Sequence, residues 1–261
     1  MKNNKTDPVS VISAGLFVTG VDLILFAASF GLNLYAAGFS HKGIVKILRN
    51  SFELAAFFRE KLLNSGTAYA RKKDYLENRR RDLVLTRAGR ERLKRLLPRY
   101  RKNRPWDGRL HLITYDIKET KKEKRQQLAR WLAAHRAVKL QKSVWISVAD
   151  LSRELRQENL IYQDEGIVLI SSLKSSEGIG GKTVQELVEQ WYHLFELNRR
   201  YDNLLLLFKE KKFLTKEEKF IIKMRYLKIL KDDPQLPRQL LPKNWQGDVV
   251  YNYINQLSIE N

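Results

Sequence analysis

Few residues in this chain have the types and spacing that chemistry needs. The stretch LHLITYDIKE, residues 110–119, is an apolar run that ends on one carboxylate, Asp116, with basic residues following. A carboxylate at the end of a strand can ligate a metal ion that activates water for phosphodiester cleavage. Such a reaction needs several oxygen ligands on the ion, so Asp116 is insufficient within one chain. A second Asp116 across a two-fold axis would supply another. Glu119 is close in sequence but leads into the next helix. The structural alternative is that Asp116 accepts backbone N–H bonds in the turn before Thr120. The chain has no cysteine. That excludes disulfides, thiolate zinc sites and cysteine nucleophiles, and fits a reducing compartment such as the cytoplasm. The four histidines, His41, His111, His135 and His193, are too widely spaced for a local metal cluster. Serine-type catalysis has no Ser/His/Asp signature here. The glycine-rich GIGGK at 178–182 lacks the spacing of a phosphate loop. No cofactor is expected, and Mg2+ enters only if Asp116 belongs to a nuclease.

Charge points to a partner more directly. The 261 residues carry a formal net charge of +20, a field that attracts polyanions: nucleic acid first, an anionic membrane surface second. Residues 41–105 hold 20 Lys and Arg against 6 Asp and Glu, or +14. Residues 1–40 are neutral, and the remaining 156 share +6. The basic surface is concentrated in one early segment.

That segment follows an apolar stretch, LFVTGVDLILFAASFGLNL at 16–34, long enough to span a bilayer. Asp22 in its middle costs about 2.5–3.5 kcal/mol on an insertion scale. A first helix buried in protein is therefore expected, with a membrane tether through residues 10–37 as the alternative. Next, GIVKILRN (43–50) reads as a short helix. SFELAAFFREKLLNSG (51–66) reads as a second helix over 51–64 that stops at Asn64-Ser65-Gly66. Extended pieces at 69–72 and 82–86 flank a polar turn near 76–79, a basic hairpin. Thr86 caps a further helix, RAGRERLKRLL. Three helices, a basic hairpin and a helix are the order of a winged helix-turn-helix, with residues 51–64 as recognition helix. Arg59 and Lys61 would face DNA from that helix. Arg71, Lys72, Lys73, Arg79, Arg80 and Arg81 would grip phosphates from the wing, with Arg87 beside them.

A proline-containing basic linker, 98–108, leads to a regular segment. RLHLITYDI (109–117) is a strand, and Thr120 with Glu123 reads as a capping box opening a helix to about residue 135. Strands at 137–141 and 143–148, a helix at 149–159 and a strand at 166–173 complete a β-α-β-β-α-β order, the ferredoxin-like unit. Beyond it the chain is helical. Leu187, Val188, Trp191, Leu194 and Phe195 recur at helical spacing as core. A helix over 216–230 follows, and prolines in DPQLPRQLLPKNWQGD hold an extended path before a terminal helix. The expected fold is α+β in three domains: 1–105 winged helix with an apolar first helix, 106–182 ferredoxin-like, 183–261 helical.

Four stretches carry a family resemblance: LTRAGRERL (85–93), WDGRLHLITYDI (106–117), LQKSVWISV (140–148) and DPQLPRQLLPKNWQGD (233–248). Through them the chain resembles the PaaX family of bacterial transcriptional regulators over most of its length. The last stretch is the most specific. Separately, YDI and LQKSVWIS resemble the small CRISPR-associated endonuclease that acts as a dimer in spacer acquisition. In some of its members the aspartate corresponding to Asp116 takes part in a metal site. The first resemblance implies a dimeric regulator that binds double-stranded DNA and answers to a small-molecule effector. The second implies, as an alternative, a metal-dependent endonuclease with Asp116 as catalytic and metal-binding residue across a dimer.

Overall fold

The computed structural model of the protein describes residues 20–30, 60–79, 82–160, 166–174, 181–209 and 214–256. These residues form a mixed α and β structure with two antiparallel sheets. The chain divides into two compact units. One comprises Met1–Tyr100, Arg199–Asp233 and Gln246–Asn261; the other comprises Arg101–Asn198 and Pro234–Trp245.

In the first unit, helix α1 (Gly20–Ala28) is buried from Asp22 to Ala28. Leu25 and Ala27 are fully buried, and the rings of Phe26 and Phe30 meet Phe220 at 5.3 and 5.8 Å. A helix that is apolar all round must be surrounded, and here protein surrounds it. Among the described residues no helix is long and apolar enough to cross a membrane. Most of the 10–37 stretch, and the helix expected at 43–50, lie outside the described residues.

Helix α2 (Glu60–Lys72) corrects two expectations. The Asn64-Ser65-Gly66 stretch is not a stop. Gly66 sits inside the helix where a Cβ would come within 2.6 Å of Ile24 Cδ1, so its missing side chain lets α2 approach α1. Residues 69–72, expected extended, are the last turn of that helix. The hairpin consists of β1 (Leu76–Arg79) and β2 (Asp82–Leu85), two antiparallel strands in the register Leu76↔Leu85 to Arg79↔Asp82. The segment expected as a polar turn is thus the first strand. Its Leu76 is the inward anchor, at 3% exposure, which the surrounding charges hide in the sequence. Helix α3 (Arg87–Leu96) starts as expected, with the Thr86 hydroxyl oxygen accepting the Gly89 N–H at 3.1 Å.

The second unit is built on a four-stranded sheet in the order β4-β5-β3-β6: β3 is Arg109–Ile117, β4 Val138–Gln141, β5 Val144–Ser147 and β6 Gly166–Lys174. Every neighbouring pair is antiparallel. Helices α4 (Lys122–Ala134) and α5 (Ser152–Gln157) supply Leu128, Leu132 and Leu155, all fully buried, to a cluster with Ile113, Tyr115, Ile117 and Trp145. Each such leucine is worth about 1.5–3 kcal/mol of burial. Period-two alternation sends Thr114 and Asp116 to the opposite face. Their register partners there are Leu169 and Ile167, which are 59% and 60% exposed. The expected capping box at Thr120 is not formed. Thr120 falls inside a 3-10 turn (Glu119–Lys121), and α4 begins after Lys121 with no side-chain cap.

Helix α6 (Val184–Trp191) has a true capping box, Thr183 with Glu186. A left-handed residue, His193 at φ 51°, separates it from α7 (Leu194–Lys209). That break rotates the apolar stripe, and Phe195, expected in the core, is 65% exposed. The Pro234–Trp245 segment is a strap of the second unit. Its carbonyls at Leu236, Leu241 and Asn244 accept from Arg104, Gln185 and Asn198. Helices α8 (Lys216–Asp232) and α9 (Gly247–Gln256) belong to the first unit. There Tyr201 donates to Asp233 at 2.8 Å, both fully buried. Burial first, then the Asp233 charge, holds the Tyr201 hydroxyl firmly protonated.

Candidate nucleic-acid interface

The end of α2, the hairpin and the start of α3 form one braced module. Asp74 adopts φ 55°, which turns the chain out of the helix. Tyr75 N–H donates to Ala70 O at 2.8 Å, Thr86 N–H to Tyr75 O at 3.1 Å, and the Thr86 hydroxyl to Asp74 O. Gly89 fits against the Tyr75 carbonyl where any Cβ would collide. The hairpin is therefore fixed at its base to both neighbouring helices.

This module carries the expected contact residues as follows. Arg71 and Lys72 close α2, and Lys73 follows, all three exposed. Arg71 Nη2 donates to Asn78 Oδ1 at 3.1 Å, tying the helix end to the hairpin, and Lys73 Nζ lies 5.9 Å from the centre of the half-exposed Tyr69 ring. Arg79 ends β1, 76% exposed, with Glu77 3.7 Å away. A pair so exposed leaves the Arg79 charge available to a polyanion. Arg87 opens α3, exposed. Lys61 lies in the first turn of α2. Arg59, Arg80 and Arg81 lie outside the described residues. Arg92 in the basic segment turns inward instead. Arg92 Nη2 lies 2.6 Å and its Nε 2.7 Å from Asp22 Oδ1. That pair joins α3 to the apolar helix, a link no local spacing reveals.

Asp116 is exposed near the end of β3 and lines a cavity of about 370 Å³ in the second unit. Glu119 shares the cavity, but so do Lys122, Arg125, Lys139 and Lys142. Among the described residues no group of three or more His, Asp or Glu converges as a metal site. Two carboxylates facing four cations suit an anion better than Mg2+. Sequence spacing missed this convergence because its members come from β3, α4, β4 and the β4–β5 turn.

A second grouping also escaped the sequence. His111, 2% exposed, has Nε2 2.9 Å from Asp107 Oδ2 and Nδ1 3.2 Å from Ser172 Oγ. Asp107 Oδ1 accepts Arg109 N–H, and the Trp106 indole donates to Arg109 O. Ser172 lies directly across from His111 in the β3–β6 register. These bonds pin the stretch before β3 to the sheet. None of the three residues lines the Asp116 cavity.

Comparison with known proteins adds two family matches. Residues 103–188 match the model described as the PaaX protein central Cas2-like domain. Residues 184–260 match the model of the PaaX-like protein C-terminal domain. No curated protein matches the chain. Among solved structures it is similar to the uncharacterized protein Rv0674 from Mycobacterium tuberculosis. The identity is 17% and the TM-score 0.53, covering 92% of this chain and 94% of that one. That likeness is one of fold.

Proposed function

From the premise that the chain belongs to the PaaX family, with two consecutive family models spanning residues 103–260, we propose that it is a transcriptional regulator that binds duplex DNA as a homodimer. The observation that carries this reading is the braced module of α2, hairpin and α3. It sits in the segment that holds +14 of the total +20 charge. Its described contact candidates Arg71, Lys72, Lys73, Arg79 and Arg87 are all exposed. In this reading the module is a winged helix-turn-helix. The recognition helix is α2, which shares residues 60–64 with the expected 51–64, whose residues 51–59 lie outside the described residues; Ser65, Ala68, Tyr69 and Lys72 are on its exposed side. Lys72 with the wing supplies phosphate contacts, while Tyr69 is the base reader on the exposed side.

The second unit is, in the same reading, a ferredoxin-like domain that pairs subunits. Its strand order and two helices on one sheet face fit that fold. The exposed Ile167 and Leu169 on the other face are the patch a two-fold partner would cover. Asp116 lies in register with Ile167, so it borders that patch.

The test is binding of the full chain to a pool of random duplexes, with selection and a stoichiometry measurement. The reading expects enrichment of a two-fold symmetric sequence bound by two chains. It expects Ile167→Glu with Leu169→Glu to yield a monomer with much weaker duplex affinity. Failure to retain any duplex at low salt would refute the DNA-binding role. A bound monomer on an asymmetric site would refute the dimer.

A further inference from the structure

We propose that the Asp116 cavity is a binding site for a small molecule carrying two or more phosphate groups. Four cations converge there from places far apart in sequence. Lys122 and Arg125 lie one turn apart on α4, Lys139 comes from β4, and Lys142 from the turn into β5. Within residues 106–261, whose net charge is +6, this one concavity holds four cations against Asp116 and Glu119, a net +2.

Asp116 and Glu119 share the cavity, yet neither pairs with Lys122, Arg125 or Lys142, and none of these three has an ion-pair partner among the described residues. Among the described residues Lys139 approaches the Trp145 ring, 5.9 Å from its centroid, and has no ion-pair partner. Four cations against two carboxylates leave the cavity net positive, and an anion between the cations relieves their mutual repulsion. Multiple phosphates supply charge and acceptors for several donors at once.

Two further features fit such a ligand. Helix α4 starts at the cavity with Lys122 as its first residue and with no side-chain cap. Its backbone continues from the 3-10 turn Glu119–Lys121, and its positive dipole end lies at the cavity, where it favours an anion. The position of Lys142 is set by the Tyr115 hydroxyl, which donates to Lys142 O at 3.1 Å, and by Tyr115 N–H on Ser143 O at 3.1 Å. The cation is mounted on a fixed turn. At about 370 Å³ the cavity has small-molecule size, within the usual range of about 300–1,000 Å³. A concavity with Ile117 and Ala129 in its wall suits a compact ligand better than the outer rim of a duplex. The site lies within the second unit and does not depend on DNA binding by the first.

The experiment is calorimetric titration of the full chain at low salt with inorganic pyrophosphate, ADP and adenosine. Pyrophosphate and ADP should bind saturably below about 1 mM, and adenosine should not. Lys122→Ala with Arg125→Ala and Lys142→Ala should weaken both by about tenfold or more, with an unchanged circular dichroism spectrum. The single variant Lys142→Glu should act in the same direction. Arg79→Gln with Arg80→Gln and Arg81→Gln, in the hairpin, should leave pyrophosphate binding as it was. Absence of saturable binding, or equal binding by the cavity variants, would overturn the site. So would cavity variants that lose only duplex affinity, because the cations would then be DNA contacts.

Discussion

Replacing Arg92 by alanine takes the guanidinium away from a carboxylate buried at 0% exposure in the most apolar of the described helices. Arg92 Nη2 and Nε both approach Asp22 Oδ1, at 2.6 and 2.7 Å. Breaking a buried pair from one side costs about 3–5 kcal/mol, because the remaining charge stays desolvated. The arginine side chain is 29% exposed, so its own desolvation is partial, and the lower end, about 3 kcal/mol, applies to Arg92→Ala. The reverse change, Asp22→Leu, leaves an arginine that can reach water, and should cost about 1 kcal/mol. The double change Asp22→Leu with Arg92→Met removes both charges and should cost less than Arg92→Ala alone. For a chain of this size about 3 kcal/mol corresponds to a fall of about 6–12 °C in the melting midpoint. Thermal melts of the four proteins, followed by circular dichroism at one pH and salt, give the cycle. Equal small losses in both single variants, or a double variant worse than either, would refute the view that α1 is a protein-buried helix tied to α3 through this pair.

Other expected outcomes follow from single observations. Burial lowers the Lys223 pKa from 10.5 to about 8. Between those values the unfolded chain binds more protons, so stability should rise with pH from about 8 to 10.5. Lys223→Met should therefore stabilise at pH 7 and lose that advantage above pH 10.5, as read from denaturant midpoints. Tyr201→Phe removes the donor to the buried Asp233 carboxylate and should cost about 1.5–3 kcal/mol in the same assay. Thr86→Ala removes the α3 cap and the bond to Asp74 O and should cost about 1–2 kcal/mol, whereas Thr86→Ser should keep most of it.

Strand and cap signals were legible where one face is buried and the local chemistry is unambiguous. β3 runs over residues 109–117, as its apolar run predicts, and Thr86 caps the helix it precedes. The sequence misled where tertiary packing overrode a local signal. Gly66 reads as a helix stop but serves close approach to Ile24, so α2 continues to Lys72 and the hairpin moves later. Thr120 and Glu123 have capping-box spacing, yet a 3-10 turn takes Thr120. The return of Arg199–Asp233 and Gln246–Asn261 to the first unit was invisible, because local periodicity reports which face is apolar and not what covers it. The same limit hid the candidate anion site. Lys122, Arg125, Lys139 and Lys142 look like ordinary surface charge until the β4–β5 turn is set beside α4. Asp116, the residue that chemistry would single out first, is placed at that cavity and beside the exposed Ile167, with no third acid or histidine among the described residues that line it.

The most direct measurement of the central claim is the salt dependence of duplex binding by the full chain and by the variant Arg79→Gln, Arg80→Gln, Arg81→Gln. Each phosphate neutralised contributes about −0.9 to the slope of log affinity against log salt. Submicromolar binding at low salt with a steep slope is expected of the unaltered chain. The variant should bind more weakly, with the slope reduced by up to about 2.7. A variant whose affinity and slope match the unaltered chain would contradict the assignment of the basic hairpin to DNA.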